Sequence, residues 1–192
     1  MYEMINKHDF RKIRENLAKY DLDRENLIKK ARDVLKLAKQ VIYSVHRKDM
    51  EEAADSVAVL KKAKEELDKI ASAHEYLPYE GSYSEAMQEY VEALAYFIFV
   101  KDKKIPTMGS LKVNEEDYLM GICDLTGELT RKAVTIAHKE DKEVEKIKEL
   151  VEELFGEFIK IDMRNGNLRK KADSIKWNLK KLEEVMYDIK KK

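Results

Sequence analysis

The chain is poor in the residues that interrupt helices or cross-link small folds. Two prolines and six glycines in 192 residues cannot punctuate the many short strands of a β-sandwich or barrel, so an all-β architecture is excluded. A single cysteine, Cys123, has no partner for an internal disulfide, which excludes a disulfide-stapled scaffold and fits a reducing compartment. No apolar run approaches the roughly 20 residues of a membrane-spanning helix, the longest extending only from Ala93 to Val100. The N-terminal string MYEMINKHDF lacks the apolar core of a signal peptide. The expectation is a soluble, cytoplasmic protein forming one domain over residues 1–192.

What the chain has in abundance is charge, at 40% of its residues, with 38 basic and 38 acidic side chains. The zero sum hides a separation. Residues 1–69 carry 17 basic and 14 acidic groups, residues 70–130 carry 4 and 11, and residues 131–192 carry 17 and 13. Neither Lys nor Arg occurs from Ile70 to Val100 or from Val113 to Thr130. The middle of the chain is therefore acidic and both flanks are basic, a pattern that composition alone conceals.

High charge with few breakers predicts an all-α fold of about seven helices, divided at Pro78 and Gly81, at Pro106 and Gly109, and at Gly166. The first is expected over about 5–20. Asp23 reads as the N-cap of a second over 24–47, where Leu27, Ala31, Val34, Ala38, Val41 and Val45 form a narrow seam. A third is expected over 49–72 and a fourth over 83–102, the latter apolar all round at Ala93–Val100 and so central. Asn114 caps a fifth that reaches about 138; a sixth covers 141–164. The seventh carries a 4,3 repeat from Leu168 to Ile189, regular enough to pack against another subunit, with Trp177 beside its seam.

On the fourth helix, Glu85, Glu89 and Glu92 fall at i, i+4 and i+7, within about 60° of one another. On the fifth, Asp117, Asp124 and Glu128 repeat the arrangement, with Arg131 one turn beyond. Carboxylates four apart repel, and no lysine alternates with them to relieve this. If the two helices are neighbours, Glu89, Glu92 and Asp124 converge as an oxygen-only site with Glu128 beside it. Such a donor set selects Mg²⁺ or Mn²⁺ over zinc. The four histidines lie on different elements without an HxxxH or ExxH pair, which argues against zinc or di-iron. A hard divalent cation suits phosphodiester hydrolysis, and Arg131 is placed to hold a neighbouring phosphate. Gly121, one turn before Asp124, suggests that something approaches the backbone closely beside that carboxylate, the ordinary alternative for it and for Gly127 being close helix packing. Against the site stand ordinary readings: acidic stripes are usually solvated faces, and the runs Arg169-Lys170-Lys171 and Lys190-Lys191-Lys192 usually serve solubility.

The strings Gln88-Glu89-Tyr90-Val91-Glu92-Ala93 and Asp117-Tyr118-Leu119-Met120-Gly121-Ile122-Cys123-Asp124-Leu125-Thr126-Gly127-Glu128-Leu129 resemble the translin family, in its translin-associated factor X branch. The resemblance extends from Arg32-Asp33 through Val45-His46-Arg47 to the C-terminal segment around Glu183–Asp188. It implies a seven-helix fold, assembly into a hollow, roughly octameric shell, alone or with a translin subunit, and binding of RNA and single-stranded DNA inside it. It also implies a Mg²⁺-dependent endoribonuclease, with Glu89, Glu92 and Asp124 as catalytic, metal-holding carboxylates. Glu128 and Arg131 match the adjoining acidic and phosphate-contacting positions, and Lys39 matches an RNA-contacting one, although the arginine that usually follows it is Gln40 here. The rival expectation is a non-catalytic, translin-like RNA and single-stranded DNA binder of the same shape.

Overall fold

A computed structural model describes residues 4–164 and 166–191. Lys192 of the C-terminal basic run, and the first three residues of the N-terminal string, lie outside them. Seven α-helices and one 3₁₀ turn account for nearly all of the described chain, and no strand occurs among the described residues. The helices are α1 (Lys7–His46), α2 (Met50–Ala71), α3 (Gly81–Asp102), α4 (Met108–Leu111), α5 (Glu115–Ile136), α6 (Asp141–Ile159) and α7 (Asn167–Lys190). The 3₁₀ turn, Leu77–Tyr79, places Pro78 where its missing N–H costs nothing.

Caps set several of the boundaries. The Asn6 side chain accepts from the His8 and Asp9 amides at the start of α1, Asp49 accepts from Glu52 N–H at α2, and Thr107 accepts from Ser110 N–H at the single-turn α4. Asn114 accepts from Asp117 N–H at α5, at the position expected of it.

The count of seven conceals two corrections. The helices expected over 5–20 and 24–47 are one continuous 40-residue rod, about 60 Å long at 1.5 Å per residue, and Asp23 lies inside it rather than capping a new start. Tyr20-Asp21-Leu22-Asp23-Arg24 contains no glycine or proline, and an aspartate inside a helix costs only about 0.7 kcal/mol relative to alanine, too little to break the ladder. The count is restored by α4, a turn too short for apolar periodicity to announce. The ends of α5 and α6 also come earlier than expected, at Ile136 and Ile159.

The helices pack in the order α2, α1, α3, α5, α7, α6, with α2 also touching α3 and α6 touching α5. The α1 seam Leu27, Ala31, Val34, Ala38, Val41 and Val45 is entirely buried, and so are Ala93–Phe97 and Phe99 of α3, between α1 and α5. The first half of α1 behaves differently. Residues 7–19 are exposed, and Phe10, Ile13 and Leu17 form a stripe at i, i+3 and i+7 that the fold leaves uncovered. Trp177 and Tyr187 on α7 are likewise exposed.

The crossing of α3 and α5 is set by Gly121. A Cβ there would lie 2.6 Å from the Gln88 carbonyl oxygen, 2.6 Å from Val91 Cβ and 2.8 Å from Val91 Cγ1. What approaches the α5 backbone is therefore α3 itself. Gly127, two turns on, has no such neighbour: its Cβ would meet only Asn178 Nδ2, at 3.9 Å. The two positions give opposite expectations. Alanine at either would gain about 1 kcal/mol of helix propensity over glycine. At 121 that gain is outweighed by overpacking against rigid atoms, typically about 1–3 kcal/mol. Gly121→Ala is expected to lower the midpoint of thermal unfolding by several degrees, Gly121→Val by more, and Gly127→Ala to leave it unchanged or raise it. Equal melting of the two alanine variants would remove the close crossing from the account.

Candidate metal and nucleic-acid site

Because α3 and α5 cross at Gly121, the residues just beyond it on both helices open into one cleft of about 630 Å³. Glu89 and Glu92 enter from α3, and Cys123, Asp124, Gly127, Glu128 and Arg131 from α5. Lys39, Ile42 and Tyr43 of α1 form one wall, and Lys171, Ser174 and Asn178 of α7 the other. All six residues singled out for chemistry in the sequence, Lys39, Glu89, Glu92, Asp124, Glu128 and Arg131, thus line a single depression. Two others that share their helix faces do not line it. Glu85 is exposed, whereas Asp117 is buried at the α5 N-terminus, where it accepts from the Ser84 hydroxyl, from Gln88 Nε2 at 3.4 Å and from Asn114 Nδ2 at 2.7 Å. Asp117 ties α5 to α3.

The carboxylates divide into two electrostatic groups. Glu92, only 8% exposed, has its pKa pushed up to about 8, first by burial and then by Asp124, Glu89 and Glu128, with Lys171 opposing. Burial also raises Glu89, where Lys39 opposes and Asp124 and Glu85 add. Asp124 is raised by burial against the ammonium of Lys171, which is ion-paired with its Oδ2 and lies 3.2 Å from Gln88 Oε1. Glu128 moves the other way. Its pKa is lowered chiefly by a hydrogen bond from His46, with Arg131 Nη1 3.6 Å away.

His46 joins the site from the end of α1. Its Nδ1 lies 3.1 Å from the Tyr96 hydroxyl and its Nε2 contacts Glu128 Oε2. An ionised Glu128 carboxylate can only accept, so Nε2 carries the hydrogen, and in a neutral imidazole Nδ1 then accepts from the Tyr96 hydroxyl. No sequence spacing signals this chain, because His46 and Glu128 stand 82 positions apart. Nor does spacing signal Lys171, part of a basic run of a kind that usually serves solubility. Cys123 is buried, and burial raises its thiol pKa to about 12, which leaves it unreactive.

The donor chemistry fits a hard divalent cation: three oxygen ligands, half-buried or more, whose mutual repulsion and burial a 2+ charge would relieve. Among the described residues, no three His, Cys, Asp or Glu side chains are already drawn together as a ligand set. Glu92 and Glu89 come from one helix and Asp124 from its neighbour, so a cation among them would be held across the α3–α5 pair. Stripping the proton from Glu92 at pH 7, one unit below its pKa, costs about 1.4 kcal/mol, a small demand on a cation held by three carboxylates.

The raised Glu92 pKa has a measurable consequence in the metal-free protein. The folded state keeps this proton up to about pH 8, whereas an unfolded glutamate loses it near pH 4.3. Between those values the native state binds the extra proton, so stability falls as pH rises. With EDTA present, Glu92→Gln is expected to raise the unfolding midpoint relative to the parent at pH 8.5 and to change it little at pH 4. A stabilisation of equal size at both pH values would show that folding leaves the Glu92 pKa unshifted.

With the geometry established, comparison with known proteins is informative. The Translin family pattern matches residues 22–190. An uncharacterised protein of Methanocaldococcus jannaschii is 32% identical over 163 residues, spanning 82% of this chain and 72% of that one. Translin-associated protein X of Rattus norvegicus is 24% identical over 208 residues, 86% of this chain and 72% of its own. Translin of Gallus gallus is 39% identical over 75 residues, which span 38% of this chain and 33% of the relative. Among solved structures, apo-NeC3PO superposes with a TM-score of 0.86 at 26% identity, covering 98% of this chain and all of the other. AfC3PO in complex with duplex RNA gives 0.84 at 23%, covering 95% and 96%. The all-helical fold and a match over nearly its whole length make this chain a member of the translin family.

Proposed function

We propose that this protein is a metal-dependent endoribonuclease that binds RNA, and single-stranded DNA, within a closed oligomer of its own chain or with a translin subunit. The observation that carries the reading is that Glu89, Glu92 and Asp124 line one cleft between two walls that each carry a lysine, Lys39 and Lys171. Its relatives include translin-associated protein X, and one structural neighbour is a C3PO complex with duplex RNA. The uncovered apolar side chains Phe10, Ile13 and Leu17 on α1, with Trp177 on α7, support assembly, because a monomer would leave them in water.

A bound Mg²⁺ or Mn²⁺ supplies Lewis-acid polarisation of the phosphoryl group and lowers the pKa of attacking water. Glu89, Glu92 and Asp124 are the groups that would hold it. Arg131, 63% exposed and only loosely paired with Glu128, reaches into the cleft mouth and can bind a phosphate flanking the scissile one. Lys39, exposed on the opposite wall, offers a second phosphate contact. Glu128, kept ionised by His46, is an acceptor beside the reacting group. Tyr43, 59% exposed next to Lys39, offers a face on which a base can stack. Attack by water gives products ending in 5′-phosphate and 3′-hydroxyl.

Incubation of the purified protein with end-labelled single-stranded RNA tests this reading. Cleavage is expected with Mg²⁺ or Mn²⁺, and Glu89→Gln is expected to reduce it by at least about a hundredfold, the loss typical when one catalytic electrostatic contact is removed. Cleavage that persists in EDTA or in Glu89→Gln sinks the proposal. Salt-sensitive retention of RNA with no cleavage at any divalent concentration establishes the non-catalytic binder instead.

A further inference from the structure

Two of the acidic groups in the cleft, Glu128 and Asp124, are paired directly with a side chain from another helix. Glu128 accepts from the His46 imidazole, with Arg131 one turn along its own helix, whereas Glu89 feels Lys39 and Lys171, and Glu92 feels Lys171, only through space. Asp124 has Lys171, whose ammonium is ion-paired with Oδ2 and also donates to Gln88 Oε1 at 3.2 Å. Lys171 differs from the others in where it sits. It contacts one of the carboxylates that the proposed function assigns to the divalent cation, and does so from α7, a helix that contributes no acidic group to the cleft. Its side chain remains 27% exposed and that of Asp124 30%, so the pair is open to solvent and can exchange.

A divalent ion at Asp124 would compete with the ammonium already paired with Oδ2. A divalent ion among Glu89, Glu92 and Asp124 would repel an ammonium in contact with one of them. Lysine, unlike arginine, carries a compact charge on a flexible four-carbon stem, so its Nζ can leave the carboxylate while α7 stays fixed. The solvent it would enter is the cleft mouth, where Lys39 and Arg131 already present positive charge to a strand.

We infer that Lys171 is a built-in occupant of the cation position on Asp124, neutralising that carboxylate while the cleft is empty and passing to a nucleic-acid phosphate when a divalent ion displaces it. The inference rests on the proposed metal site and adds to it. In the empty protein Lys171 competes with the ion; in the loaded protein it becomes a phosphate contact that exists only when the ion is present.

The test uses the full-length protein stripped with EDTA and titrated with Mn²⁺, free ion being read by electron paramagnetic resonance. Lys171→Met is expected to tighten Mn²⁺ binding about fivefold, the equivalent of one partly exposed ion pair removed from competition. Lys171→Arg, which keeps a competing charge, is expected to stay nearer the parent. Lys171→Gln replaces the Met variant if the latter does not fold. Salt dependence of binding to a single-stranded DNA oligonucleotide gives the second readout. With Mn²⁺ present, the slope for Lys171→Met should be shallower than the parent's by about 0.7, one phosphate contact on a single strand; in EDTA the two slopes should coincide. Unchanged or weaker Mn²⁺ affinity in Lys171→Met overturns the competition, and an unchanged slope in Mn²⁺ overturns the handover. Asp124→Asn separates the two levels. If it leaves Mn²⁺ binding intact, the metal site itself is wrong; if it abolishes binding while Lys171→Met changes nothing, only the role of Lys171 falls.

Discussion

The near contact between the Gly121 backbone and the Gln88–Val91 turn of α3 is the constraint on which the cleft depends. With any side chain at 121, the helices would have to separate or slide, because the atoms in the way are a carbonyl oxygen and a Cβ that cannot rotate aside. Glu89 and Glu92 of α3 and Asp124 of α5, one turn after the glycine, lie beside this crossing and line the same cleft. Asp117 reinforces the same crossing from the N-terminal end of α5 through Ser84 and Gln88. One buried aspartate and one glycine thus bring together helices whose facing carboxylates would, without neutralisation, push them apart.

Neutralisation comes by three different routes, each matched to the environment. Glu92 is the deepest carboxylate and keeps a proton. Asp124, partly exposed, takes an ammonium from α7. Glu128, no more exposed than Asp124, is held ionised by an imidazole that Tyr96 orients and by a nearby guanidinium. The first two routes are reversible: a proton leaves at modest cost and a lysine can swing away. The third is built more firmly, because His46 is anchored at both ring nitrogens. Under the proposed function, this division separates groups that must change partners when a cation arrives from one that keeps its charge throughout.

Much of this was legible in the chain. The 3.6-residue periodicity located the seams, and the i, i+4, i+7 spacing of Glu89 and Glu92 with the 124, 128, 131 series identified residues that do line one cleft. Gly121 was readable as a close approach, though not which helix approached. What spacing could not supply was pairing across long separations. His46 reaches Glu128, and Lys171 reaches Asp124, only because α1 and α7 flank the α3–α5 pair. The break expected near Asp23 failed for a local reason: a good capping residue caps only where the ladder has already stopped, and nothing in Tyr20–Arg24 stops it. Asp117 shows the converse limit. It shares a helix face with Asp124, but two turns of helix carry it from the cleft to a buried structural position.

The uncovered half of α1 follows from the same absence of a break. Had the chain turned at Asp23, Phe10, Ile13 and Leu17 could have folded back onto the bundle; as a straight continuation of a packed rod they project beyond it, and no other element of the described chain covers them. A stripe of three apolar side chains on a 40-residue helix is a poor solution for an isolated molecule and a sound one for a subunit. The formal charge points the same way. A chain of zero net charge gains no long-range attraction for a polyanion, so under the proposed function its basic flanks would act on a strand only at close range. Under the proposed function, repeating the cleft around a closed assembly would multiply those short-range contacts along one strand. For a neutral protein, that gain in local concentration replaces the electrostatic steering that its total charge does not provide.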